Sequence, residues 1–318
     1  MQRILLIPLI LMLLVACQST PRITPPGTKP SRMARKGAGQ TPDPIRKSDR
    51  QRERSDGEIM REFDDDIAAW RKSYAVADAH LPLLESGLTR NAEAQYDLLA
   101  RKAQGDNVPF AMVATTALAF ANREKSASLL LKVAQESEHP RVVANALNGL
   151  GILVTRNPLA RQEVTVDDVA SYMADPRDDV RIAASFLATN LVQPGDDRGL
   201  LPYLTEGTTD QSYMVRANSC WALGQSRHPS ACDLVKVALL GDPVPEVRCN
   251  AALALAATRD RAAVEPLLAA LDDPTPEVQV HAASALTLLT GESMGTNAAA
   301  WASWWEEHRD TFQVKAEP

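Results

Sequence analysis

The 318-residue sequence has few of the residues that carry chemistry. Aromatic side chains make up 5% of it, and its five histidines, His80, His139, His228, His281 and His308, are scattered one to a segment without metal-ligand spacing. No G-x-S-x-G and no H-E-x-x-H occurs, which removes the serine-hydrolase elbow and the zinc-protease helix. Gly149-Leu150-Gly151 has Val154 where a dinucleotide fingerprint needs its third glycine, and it follows a helical stretch, not a strand. The sequence therefore assigns no catalytic residue, no cofactor and no metal ligand, and a non-enzyme is expected. Long apolar runs are missing as well: Ile4 to Ala16 is too short to cross a bilayer. Nor is there a basic body. The net charge is −6, and residues 58–318 alone hold −13, which argues against a nucleic-acid partner.

What is present begins at the N-terminus. Residues 1–16, with Arg3 ahead of the short apolar run, have the layout of a signal peptide. Leu14-Val15-Ala16-Cys17 resembles a bacterial lipobox. That resemblance implies that Cys17 receives a diacylglyceryl group, whose chains add about 0.8 kcal/mol per buried methylene to membrane affinity. Gln18, where inner-membrane retention usually has aspartate, implies an outer-membrane, periplasm-facing address over the inner membrane. Residues 17–57 form a linker with six prolines and almost no large apolar side chains, so it is expected to be disordered. Its charge is +6 over residues 18–57, suited to a solvated spacer or to contact with anionic lipid or cell-wall polymer.

The body is a repeat. In Asp242–Leu271, Val247, Ala251, Ala252 and Leu255 recur at three-to-four spacing, a break follows at Thr258 to Asp260, and Val264, Leu267, Leu268 and Leu271 mark a second helix. Asp242 is expected to cap the first helix, with Pro243 at its first position. Copies align on Val142, Val180, Val215, Val247 and Val278, spaced 38, 35, 32 and 31 residues apart. A helix pair of this size has too little core of its own and must stack on its neighbours. With D-P-x-x-x-V-R at Asp175, Asp242 and Asp273, and an Ala/Leu face after it, the chain resembles the HEAT-repeat family, specifically the short bacterial type also called PBS-lyase HEAT-like. Asp210 departs from the motif, with Gln211 in place of proline, and the Val142 copy has no aspartate. The expected fold is all-α, a HEAT-like solenoid of stacked helix pairs preceded by a disordered linker. Residues 58–104 would form N-terminal capping helices, 105–291 the repeats, and 292–318 a Trp-rich capping helix and tail.

Within the N-terminal cap, Ile59, Phe63, Ile67, Trp70, Tyr74 and Ala77 make one stripe, and Asn91 is expected to cap a helix with Tyr96, Leu98 and Leu99. Adjacent Asp64, Asp65 and Asp66 point different ways on a helix, which favours a solvated face over a metal site. At the far end Trp301, Trp304, Trp305, His308 and Phe312 fall on one helical face, read either as a lid over the last repeat or as a platform for sugar rings.

Two ladders recur: Arg181, Arg216 and Arg248 after the valines, with Asp175, Asp210, Asp242 and Asp273 before them, and Asn145, Asn218 and Asn250 on the helix edge. Both are expected to tie repeats together, the asparagines alternatively to bind an extended peptide backbone. Cys220, Cys232 and Cys249 occupy alanine-like slots, as free buried thiols or with one disulfide among them. The resemblance implies a membrane-anchored scaffold for a protein partner, with the second helices lining its concave surface near Lys125, Lys132, Asp233, Lys236, Arg261 and Glu265. The alternative is a cell-wall glycan binder.

Overall fold

The computed structural model describes residues 54–123 and 125–314; the expected signal peptide, Cys17 and the expected linker as far as residue 53 lie outside the described residues. Ser55 caps the first described helix. Its side chain accepts from the Glu58 amide while the Glu58 carboxylate accepts from the Ser55 amide, a capping box that starts helix α1, Asp56–Ala75, ahead of the expected boundary at 57/58. Met60, Phe63, Ile67 and Trp70 form its buried stripe. Trp70 meets Phe120 edge-on at 5.0 Å, which fastens α1 to the repeats.

Helices α2, Leu81–Ala94, and α3, Tyr96–Ala103, complete the cap. Asn91 does not cap α3: it lies inside α2, where its amide donates to Asp66 at 3.5 Å and its carbonyl accepts from the Gln95 amide. The expectation failed because the break falls at Gln95, one turn later than the polar residues indicate.

From residue 108 the chain alternates between two layers. One layer holds α4, Val108–Leu118, then α6, Pro140–Arg156, α9, Asp178–Leu191, α11, Tyr213–Ser226, α13, Pro245–Thr258, and α15, Pro276–Thr290. From α6 onward these are the helices with the aligned valines, and all five valines are buried. The other layer holds α5, Ser126–Glu136, α8, Asp167–Met173, α10, Leu201–Gly207, α12, Ala231–Gly241, and α14, Val264–Ala269, with the short α7, Pro158–Glu163, beside α5. The chain is an all-α solenoid, closed at its C-terminal end by α16, Ala298–His308.

The valine helices pack directly on one another along the stack, whereas the second helices mostly touch the valine helices and barely one another. Small residues permit this. A Cβ on Gly224 of α11 would lie 2.3 Å from the Ala254 carbonyl oxygen of α13, so the two backbones are in direct contact there. In a curved two-layer stack the layer with closer helices takes the shorter arc. The valine helices are therefore on the concave side, and the expectation that the second helices line it is corrected. Lys125, Lys132, Asp233, Lys236, Arg261 and Glu265 accordingly belong to the outer layer. There Lys132 pairs with Glu136 at 3.8 Å, Lys236 pairs with Asp233, and Arg261 sits over the Trp305 ring at 5.2 Å.

Candidate functional site

The seams between repeats are the most ordered polar features. Each arginine after the valine reaches forward to the next module's aspartate: Arg181 to Asp210, Arg216 to Asp242 and Arg248 to Asp273, with Nε to Oδ2 at 2.8, 2.7 and 2.8 Å. The same guanidiniums turn back through Nη1 to the carbonyls of Asp175, Asp210 and Asp242. Gln279, in the place of the next arginine, keeps the backward bond within its own module, donating to the Asp273 carbonyl at 2.8 Å. These aspartates do not cap the following helices. Each accepts instead from the amide two residues on, Arg177, Ser212, Val244 and Thr275 at 2.7–2.9 Å, and Pro245, not Pro243, opens α13. The side chain that seemed free for a cap is held in an Asx turn, which aims its carboxylate at the preceding arginine. Hydrogen bonding from Arg248 holds the Asp273 carboxyl below its ordinary value, and Arg177 does the same for Asp175.

The asparagine row divides. Asn145 donates to the Met112 carbonyl at 3.0 Å and Asn218 to Ser185 Oγ at 2.8 Å, both on the preceding valine helix. Asn250 bonds its own helix at Glu246. Both inter-repeat asparagines are buried. A second arginine row escaped the sequence reading. Arg227 and Arg259 end α11 and α13 in the left-handed region, φ 52° and 57°, and donate to the Ala257 and Leu288 carbonyls of the next valine helix. Gly291 holds the same place in α15 at φ 86°; this alignment of two arginines with a helix-ending glycine was the available signal.

The three thiols are unpaired and buried. Burial pushes Cys220 up to about 12 and Cys232 and Cys249 to about 11, which suppresses the reactive thiolate. In the acid triplet, Asp66 accepts from Asn91 while Asp65 is exposed. The aromatic row of α16 is not one surface. Trp301 is fully buried and donates to the Gly295 carbonyl at 2.8 Å, and Trp305 is buried beneath Arg261. Trp304 is half-buried, with the exposed His308 ring stacked on it at 4.8 Å and Phe312 against its edge at 5.6 Å. A sugar needs an open aromatic face, and the tryptophan faces here are already in contact with His308, Arg261 or the core.

Between the two seams lies the open face of the valine helices. Its central row, six residues after each valine, is Asn148, Phe186, Trp221, Leu253 and Ser284. Two residues after the valine stand Ala144, Ile182, Ala217, Cys249 and Val280; ten after stand Ile152, Asn190, Gln225, Ala257 and Leu288. None of these is ionisable except the buried thiol of Cys249, in a chain that is 23% charged. Trp221, Leu253 and Ile182 are half-buried, and Val280 and Leu288, on the last valine helix, are 53% and 36% exposed. The residue just before each valine gives this face a lip of different character: Arg141, Asp179, Met214, Glu246 and Glu277.

Residues 198–287, which include the Arg216 and Arg248 rungs, match the model for HEAT repeats. That stretch is built of HEAT repeats. The chain's solenoid is similar to the crystal structure of the YibA protein of Escherichia coli, at 18% identity and a TM-score of 0.52 over 82% of this chain and 88% of that one. Human deoxyhypusine hydroxylase in complex with glycerol is similar at 18% identity and a TM-score of 0.35, covering 74% of this chain and 98% of its own. A designed armadillo repeat protein is similar at 16% identity and a TM-score of 0.46, covering 60% and 98%. No curated protein matches in sequence. The HEAT seams use the Arg–Asp rungs, so the functional question passes to the face those rungs leave open.

Proposed function

We propose that this chain is a lipid-anchored scaffold of the bacterial cell envelope whose concave HEAT face holds another protein. The observation that carries the reading is the uncharged, partly exposed floor made by Ile182, Trp221, Leu253, Val280 and Leu288 inside an acidic body. Surfaces of this kind, rimmed by polar residues, are sites of macromolecular contact. The seams already engage the arginines, the aspartates and the amide nitrogens of the buried asparagines, so binding falls to the apolar floor. The anchor rests on the Leu14-Val15-Ala16-Cys17 motif. The outer membrane, periplasm side, is its proposed address.

Two measurements test this. Cys17→Ser should move the protein from the membrane fraction to the soluble or uncleaved fraction with unchanged helical content; a variant still cleaved and membrane-bound would refute the anchor. Crosslinked envelopes should yield a protein partner with the wild type and lose it with Leu253→Glu. Capture by purified sacculi alone, with no protein recovered, would favour cell-wall glycan instead.

A further inference from the structure

We propose that the segment held on this face is an apolar, uncharged polypeptide stretch flanked on one side by lysine or arginine. The inference rests on the scaffold reading above and adds the chemistry of the partner. An ion buried against the rows two, six and ten residues after the valines meets no opposite charge, and burying an unpaired charge costs several kcal/mol. The side of the partner that lies on the floor is therefore neutral. Trp221, half-buried at the centre of the face and flanked by Leu253, is a ring that an apolar side chain can cover, the usual anchor of a protein contact.

The flank follows from the lips. At the C-terminal ends of the valine helices, Arg227 and Arg259 are engaged with the Ala257 and Leu288 carbonyls. At the N-terminal ends Arg141 stands on the first valine helix, and Asp179, Glu246 and Glu277 make the later ones net negative. Among the described residues Asp179 accepts from the Val180 amide alone and feels the charge of Arg177, and Glu246 and Glu277 make no ion pair. Each acid is also placed at a helix N-terminus, where its charge is favourable to the fold, so the negative lip is a lasting feature of the groove. A basic flank meets that lip and an acidic one is repelled by it. The chain's own linker supplies the basic charge but not the apolar stretch: between residues 18 and 53 its large apolar side chains are Ile23, Met33 and Ile45.

The test uses the full-length chain in detergent micelles and fluorescence anisotropy. A helical peptide of about twenty residues spans about 30 Å, the reach of four helices packed about 10 Å apart. Two such synthetic peptides share a Leu/Ala/Ser core, one with lysines and one with glutamates along one flank; a third peptide is the linker itself, residues 18–53. The Lys-flanked peptide should bind about tenfold more tightly than the Glu-flanked one, as a few exposed ion pairs of up to about 1 kcal/mol each allow. Glu277→Lys should narrow that gap, Leu253→Glu should abolish binding with helical circular dichroism intact, and Leu240→Glu on the outer layer should change nothing. Equal binding of the two synthetic peptides, or tighter binding of the linker, overturns the proposal. The two readings separate cleanly. Envelope capture lost in Leu253→Glu without peptide discrimination leaves the scaffold standing and removes the basic flank. Capture indifferent to Leu253→Glu removes this face as the scaffold's binding site.

Discussion

Arg216 grips Asp242 through both edges of its guanidinium, Nε to Oδ2 at 2.7 Å and Nη2 to Oδ1 at 2.9 Å, across 26 residues of sequence. Both side chains are nearly out of solvent, 12% and 6% exposed. The pair also fixes a turn, because Asp242 Oδ1 accepts from the Val244 amide. Removing one member thus leaves a nearly buried charge and loosens the start of α13.

Arg216→Ala is expected to destabilise the solenoid by about 3 kcal/mol, the scale for breaking a buried pair from one side. Urea unfolding followed by circular dichroism measures it. Asp242→Ala should lose a similar amount, and the double variant less than the sum, which a double-mutant cycle reads as coupling.

Acid should weaken the rungs. Asp273 and Asp175 have carboxyls held below their ordinary value by Arg248 and Arg177, so the folded state binds the proton less readily than the unfolded chain. Their contribution is complete above the unfolded carboxylate range and disappears as pH falls through the lowered folded values. Urea midpoints should hold steady from neutral pH to about 5 and fall below about 4. Asp273→Asn should flatten that fall, and a variant as acid-sensitive as the wild type would contradict the assignment.

Gly224→Ala tests the contact between α11 and α13. A methyl would stand 2.3 Å from the Ala254 carbonyl oxygen, which is backbone and has no rotamer to yield. The helices must separate, and a loss of about 3 kcal/mol or more is expected, at the top of the usual range for overpacking. Gly241→Ala, with open space around its Cβ position, is the control that should leave the midpoint near wild type.

Thiol labelling separates the cysteines by depth. Cys220 is fully buried with its thiol pushed up to about 12, so it should react with an alkylating reagent only on global unfolding. Cys249, 7% exposed and at about 11, should react earlier through local opening. Reaction of all three at one rate in the native protein would contradict this order.

The repeat was legible in sequence because one valine per module is buried at the same place, and an arginine one residue later must face the seam. The rungs were legible as ladders for the same reason. Which way Asp242 points was not. An aspartate before a helix can cap it or turn the chain ahead of it, and only the arginine from the preceding module decides. The concave side was assigned to the second helices from the resemblance alone, and periodicity could not correct it, because it marks the buried face of every helix and says nothing of the spacing between helices. Trp301 and Trp304 share a helical stripe in sequence, yet one is core and the other half-exposed, because a stripe does not say how much of its width the neighbouring repeat covers. Arg227 and Arg259 went unnoticed because left-handed helix ends are normally read from glycine or asparagine.

The rungs do not run the whole length. Val143 stands where an arginine would reach Asp175, and Asp175 is held by Arg177 of its own module. The seam between α6 and α9 is instead filled by apolar packing, with Phe186 seated over Gly151. The four modules beyond that seam are clipped together by three rungs, so a load on the concave face would be shared along them. The seam itself is held by the fit of side chains alone, so its strength depends on the ring of Phe186 and the bare backbone of Gly151 remaining matched in size.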